Sequence, residues 1–167
     1  MKQLKKISYY LFCSVIISGM VFCKSAGEKR EAEYRDTQFN QYVYEKTCVK
    51  IWPEVKSYMN REKFFLPDSP SGQTSFTVNS EWRDDSFGSS RVKKSLTIVA
   101  QEVEKKGCTL NITLNEEDTS GGQMTQRFKN RNTYYERELI AKIEPKRYEK
   151  IIKEGERIKG ELDHQKK

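Results

Sequence analysis

Cys108-Thr109-Leu110-Asn111-Ile112-Thr113-Leu114 alternates apolar and polar residues without a break, and a period of two marks a β-strand with one buried face. Cys108, Leu110, Ile112 and Leu114 therefore share the inward side. Lys105-Lys106-Gly107 reads as a turn that folds this strand back onto a preceding one, residues 92–104, centred on Leu96-Thr97-Ile98-Val99-Ala100. Earlier still, Phe76, Val78 and Trp82 alternate with Thr77, Asn79, Glu81 and Arg83, giving another strand that residues 84–90 end in a turn. Met124 and Phe128, with polar residues between them, suggest a fourth strand. Strands joined by such short turns make an antiparallel meander with one face to cover.

Helices on either side supply the cover. In residues 34–59, Phe39, Tyr42, Val43, Cys48, Val49, Trp52, Val55 and Met59 recur mostly three or four apart, which is one buried helical stripe. Pro53 interrupts it, so a kink or two consecutive helices are expected. Thr133–Ile143 fits both periods, but Thr133-Tyr134-Tyr135-Glu136 has capping-box form and tips it to helix. Pro145 suits the first turn of a last helix with Tyr148, Ile151, Ile152, Ile158 and Leu162 inside, weakened by Gly155 and Gly160. The fold class is α+β: an N-terminal helix kinked or broken at Pro53, a four-stranded antiparallel meander and a C-terminal helix. The expected layout is an export signal at 1–22, a flexible tether at 23–33, a single α+β domain at 34–163 and a frayed tail at 164–167.

Met1-Lys2-Gln3-Leu4-Lys5-Lys6 is basic, and residues 7–22 carry no charge. That is the n-region and h-region of an export signal, too short and too interrupted by Ser8, Ser14, Ser18 and Gly19 for a spanning helix of about 20 apolar residues; an uncleaved anchor is the alternative. Cys23 follows at once, then the polar Lys24-Ser25-Ala26-Gly27-Glu28-Lys29-Arg30-Glu31. The arrangement resembles a bacterial lipoprotein signal, which implies acylation of Cys23. Phe22 departs from it, since the family carries a small residue there, and an ordinary signal-peptidase cut after Ser25 or Gly27 is the alternative. Loss of residues 1–22 removes three of the 31 Lys+Arg and none of the 24 Asp+Glu, so the formal charge falls from +7 to +4. With Cys23 lipidated, Cys48 and Cys108 remain to pair in an oxidising compartment, the inward Cys108 meeting a cysteine on a covering helix. Two buried thiols are the alternative.

Catalytic signatures are few. His164 is the only histidine and stands in the tail, and neither a G-x-S-x-G turn, a P-loop nor a G-x-G-x-x-G occurs. Asp84-Asp85 and Glu116-Glu117-Asp118 fall in expected hairpin turns without the spacing of a calcium loop. No enzyme, cofactor or metal is expected. Basic residues are more informative: Lys142, Lys146, Lys150, Lys153 and Arg157 fall near one side of the last helical stretch, after Arg127, Lys129 and Arg131. Such a stripe suits sulfated glycans, anionic headgroups or acidic protein surfaces. Interleaved Glu144, Glu149, Glu154, Glu156 and Glu161 equally suit a solvated face, with Glu149 and Lys153 an i,i+4 pair.

Together, the lysine-rich start, the box ending at Phe22-Cys23 and the Lys/Glu-rich remainder resemble small lipoproteins of spirochaetes such as Leptospira, over the first 30 residues and in composition. The resemblance implies an outer-membrane lipoprotein, lipid-anchored and facing the cell surface. It also implies a non-enzymatic binding role toward host matrix proteins, plasminogen or complement regulators. A periplasm-facing lipoprotein with a structural or assembly role, meeting an envelope partner through an apolar patch around Trp52 or Trp82, is the second expectation; a secreted form is another location. Nucleic acid is not an expected partner, and the oligomeric state stays open.

Overall fold

The computed structural model describes residues 25–68, 73–87, 91–103, 107–118 and 126–164. Residues 1–24, with the expected export signal and Cys23, and residues 165–167 lie outside them. The elements are α1 (Ala26–Asn40), α2 (Cys48–Arg61), β1 (Phe76–Asn79), β2 (Arg83–Asp84), β3 (Val92–Val103), β4 (Gly107–Asp118), β5 (Gln126–Arg131), α3 (Thr133–Ile143) and α4 (Pro145–His164). The α+β class, with helices at both ends of an antiparallel sheet, is as the sequence implies. The sheet runs β1-β3-β4-β5, with β2 also on β3.

Hairpin β3–β4 is the spine, pairing Leu96 with Leu114, Ile98 with Ile112 and Ala100 with Leu110. These side chains meet Ile51, Val55 and Met59 of α2 and Leu139 and Ile140 of α3 in one core. The buried apolar residues of the helices join that core. Thr77, Asn79, Thr97, Asn111 and Thr113 stand on the opposite sheet face, by the alternation of the strands.

Three devices seal the second edge of β4. β5 pairs only from Asp118 to Thr113. Beyond it the Ile112 carbonyl accepts from Asn132 N–H at 2.7 Å, and the Ile112 N–H donates to Glu136 Oε1 at 2.9 Å. At Cys108 the backbone of Tyr44 adds one more rung, with bonds of 2.7 and 3.0 Å. Gly107 (φ 109°) lies so near that a Cβ would stand 1.7 Å from the Tyr44 carbonyl oxygen, so the close approach requires glycine there. Cys48, at the start of α2, closes a disulfide to Cys108, the pairing expected.

Three expectations need correction. The N-terminal helical stretch breaks at residues 41–47, where Tyr44 leaves the helix to pair with β4, and not at Pro53, which sits inside a continuous α2. The carbonyl that Pro53 leaves without a helix bond belongs to Val49, which is half exposed and open to water. The stretch read as tether is helix from Ala26, because Ser25 and Glu28 form a reciprocal capping box with bonds of 2.9 and 3.0 Å. α1 shows almost no apolar stripe, so periodicity could not find it; it is held instead by antiparallel packing on α4. Arg35 donates to the Ile152 carbonyl at 3.3 Å and pairs with Glu31, Phe39 stacks on Tyr148, and Lys159 reaches Glu28. Gly155 lets the helices approach there: a Cβ on it would lie 2.8 Å from Arg35 Nε. Lastly, residue 164 belongs to α4 instead of a frayed tail.

Burial raises the phenols of Tyr42, Tyr44, Tyr58 and Tyr135 above their ordinary range, with Glu144 adding to the effect at Tyr42. Their folded-state values exceed the unfolded ones, so the associated stability is complete below about pH 10 and is lost as pH rises through the folded values. The phenolate absorbance of these four should therefore appear late and together with loss of circular dichroism; ionisation of these four near pH 10 in a still-folded chain would contradict this.

Candidate functional site

On α4, Lys146, Lys150, Lys153 and Arg157 recur at four, three and four residues, which places them along one line of a helix with 3.6 residues per turn. Ile151 and Gly155, both buried, lie opposite. All four basic residues are exposed. Arg157 is engaged by Glu154 at 2.7 Å and by Glu161 one turn on, and Glu154 holds its guanidinium above the usual range. Among the described residues no acid closes an ion pair with Lys146, Lys150 or Lys153, and the expected Glu149–Lys153 pair does not form. Lys142 does not belong to this row. It lies in the last turn of α3, with its ammonium 5.7 Å from the Tyr58 ring centre, and the chain turns at Glu144 (φ −133°, ψ 62°) before α4 begins. Of five anticipated residues, three form an unpaired stripe.

A cleft of about 560 Å³ opens beside that stripe between α1 and α4, reached by Lys150, Tyr34 and Gln38. Of its charged groups, Arg147 serves the fold through Glu144. Glu144 accepts from Tyr42 Oη at 2.6 Å, from the Glu45 N–H at 2.7 Å and from Arg147 at 2.7 Å; Arg147 also donates to the Val43 carbonyl and lies over the Tyr42 ring.

A second concavity, about 370 Å³, lies on the sheet face that no described helix covers. Its origin is a β-bulge. Asn79 pairs with Thr97 and Arg83 with Lys94, leaving residues 80, 81 and 82 to face only 95 and 96. Ser80 absorbs the mismatch: its N–H donates to the Leu96 carbonyl at 2.8 Å while its hydroxyl accepts from the Leu96 N–H at 2.8 Å. After the extra residue the alternation is inverted. Arg83 turns inward, 4.0 Å above the Phe64 ring and bonded to the Glu62 carbonyl, and Trp82, expected on the core side with Phe76 and Val78, turns outward. Trp82 is 47 % exposed, whereas Trp52 is buried at 3 %.

Outward, Trp82 heads a row that continues through Ser95, Asn115 and Lys129 across four strands. Ser95, small and 5 % exposed, makes the dip. Asn115 donates to Ser95 at 3.3 Å and to Thr97 at 3.1 Å, and Thr97 donates to Asn79 at 2.8 Å. The acids around it are matched: Glu117 pairs with Arg127 at 2.9 Å and Glu116 with Lys94 at 3.3 Å. These acids and Asp84 stand on strands, not in turns as expected. Sequence reasoning missed this site because a bulge carries no residue signature of its own in residues 79–83.

His164 is exposed at the end of α4, and among the described residues no group of three His, Cys, Asp or Glu could hold a metal ion. No helix among them is long and apolar enough to cross a membrane. No protein-family model matches the chain, and comparison with curated proteins and with solved structures gives no match.

Proposed function

We infer that the chain is a non-enzymatic binding module of the bacterial outer membrane, exported by residues 1–22, anchored through lipid on Cys23 and turned to the cell exterior. Its ligand in this reading is an acidic surface: a host serum or matrix protein, such as a complement regulator or plasminogen, or a sulfated glycan. The observation that carries it is the row Lys146, Lys150 and Lys153, three exposed ammonium groups with which no acid among the described residues closes an ion pair, Glu154 acting on Lys150 from beyond contact distance. Charges left free in a line attract anions at range and lose that attraction as salt screens them. With α1 capped at Ser25, only Lys24 separates the helix from Cys23, so a lipid there would hold the body close to the bilayer.

Protease applied to intact cells is expected to remove the protein, and Cys23→Ala to release it from the membrane. Heparin binding by the full chain should weaken about tenfold when Lys146, Lys150 and Lys153 are replaced by alanine, which corresponds to about 1.4 kcal/mol. Unchanged salt-dependent binding would remove the stripe from the reading. A periplasm-facing envelope role is the second reading, favoured by half-exposed Trp82 and by the more exposed Phe65, whose carbonyl accepts from the neighbouring Glu81 N–H. Protection on intact cells with cleavage after lysis would support it.

A further inference from the structure

We propose that the groove on the open sheet face is a separate binding site for a neutral oligosaccharide, with a sugar ring stacked on Trp82 and its hydroxyls bonded to Asn79, Thr97 and Asn115. A sugar presents an apolar ring face and a rim of hydroxyls that both donate and accept. It is matched by an aromatic plane beside amide and hydroxyl groups, which likewise do both. The groove supplies that pair of features within one cavity of about 370 Å³, inside the range typical of small-ligand sites.

The polar groups are set before any ligand arrives. The chain of bonds from Asn115 to Thr97 to Asn79 fixes the amides in place, so little ordering remains to oppose binding. It leaves the amide oxygen of Asn115 to accept and the amide N–H groups of Asn79 to donate outward. Charge argues for a neutral ligand: Glu116 and Glu117 already have cationic partners, and Lys129 stands at the far end of the row. From Trp82 to Lys129 the row crosses three strand spacings, roughly 14 Å, longer than one ring and suited to an oligomer. The bulge is the strongest sign of a built site, because it turns a large aromatic out of the core into a polar face.

The full chain in detergent, titrated with cellotetraose, maltotetraose and chitotetraose, provides the test. Its two tryptophans give separate indole N–H resonances. At least one of the three sugars is expected to shift the Trp82 signal and leave that of Trp52 in place, equally at low and high salt. By calorimetry, Asn115→Ala and Asn79→Ala should each weaken binding about tenfold, Trp82→Phe should retain part of it and Trp82→Ala should abolish it, with unchanged thermal melting showing that the variants fold. Alanine at Lys146, Lys150 and Lys153 should leave this binding intact, so failure of one site is distinguishable from failure of the other. No shift with any of the three sugars at millimolar concentration, or undiminished binding by Trp82→Ala, would overturn the proposal.

Discussion

Reduction of the Cys48–Cys108 bridge is expected to cost about 4 kcal/mol of stability, the chain-entropy value for a loop of this length; the two cysteines are 60 residues apart. The loop contains α2, β1, β2 and β3, so opening it frees the unfolded chain over much of the sheet and its cover. Locally, the bridge ties the first residue of α2 to the β4 residue that also pairs with Tyr44. Both sulfurs belong to buried residues, so a reductant should act only as fast as the structure opens. Urea unfolding of the native chain and of the Cys48→Ala, Cys108→Ala double variant gives the difference directly. Coincident midpoints would show that the bridge adds nothing, and rapid reduction under native conditions would contradict its burial.

Glu136→Ala is the second large effect, expected to lower stability by about 3 kcal/mol. Glu136 is 4 % exposed, and its carboxylate accepts from the Ile112 N–H and, at 2.9 to 3.1 Å, from Arg131. Arg131 in turn donates to the Asn40 carbonyl at the end of α1. Alanine leaves a strand N–H buried without an acceptor and detaches the arginine that joins β5, α3 and α1. Glu136→Gln keeps an acceptor for Ile112 and gives up only the charge, so its loss should be about half as large. Equal losses for the two variants would mean that the Ile112 bond is worth nothing and would sink this account.

The core was largely legible in the sequence. Period two in residues 108–114 and near-3.6 spacing around Trp52, Val55 and Leu139 reflect burial, and burial is what such patterns record; within the same stripe Val49 is half exposed, and Ile51, outside the stripe, is fully buried. Elements that bury little left weaker traces. Residues 26–33 have no apolar stripe, and only the S-x-x-E of Ser25 and Glu28 marks their helix. Thr133 to Glu136 has capping-box form, but Asn132 caps α3, accepting from the Tyr135 N–H at 3.0 Å, and Glu136 is spent on β4. That role depends on where β5 stops, a tertiary fact with no local signature. On α4 the spacing of Lys146, Lys150 and Lys153 was readable, whereas the separation of Lys142 required knowing that the chain turns at Glu144.

The bulge between Asn79 and Arg83 makes the groove a matter of counting. Side-chain direction along a strand has only two values, and one surplus residue exchanges them for everything beyond it. Pairing the same residues without the bulge, with Glu81 opposite Ser95 and Trp82 opposite Lys94, would leave every groove residue in the chain and yet send Trp82 to the core face and Arg83 out to solvent. Identity alone therefore does not define this surface. Among related chains, those that keep all the residues of this interval but pair them without the bulge would lose the outward tryptophan, and register would sort them better than composition.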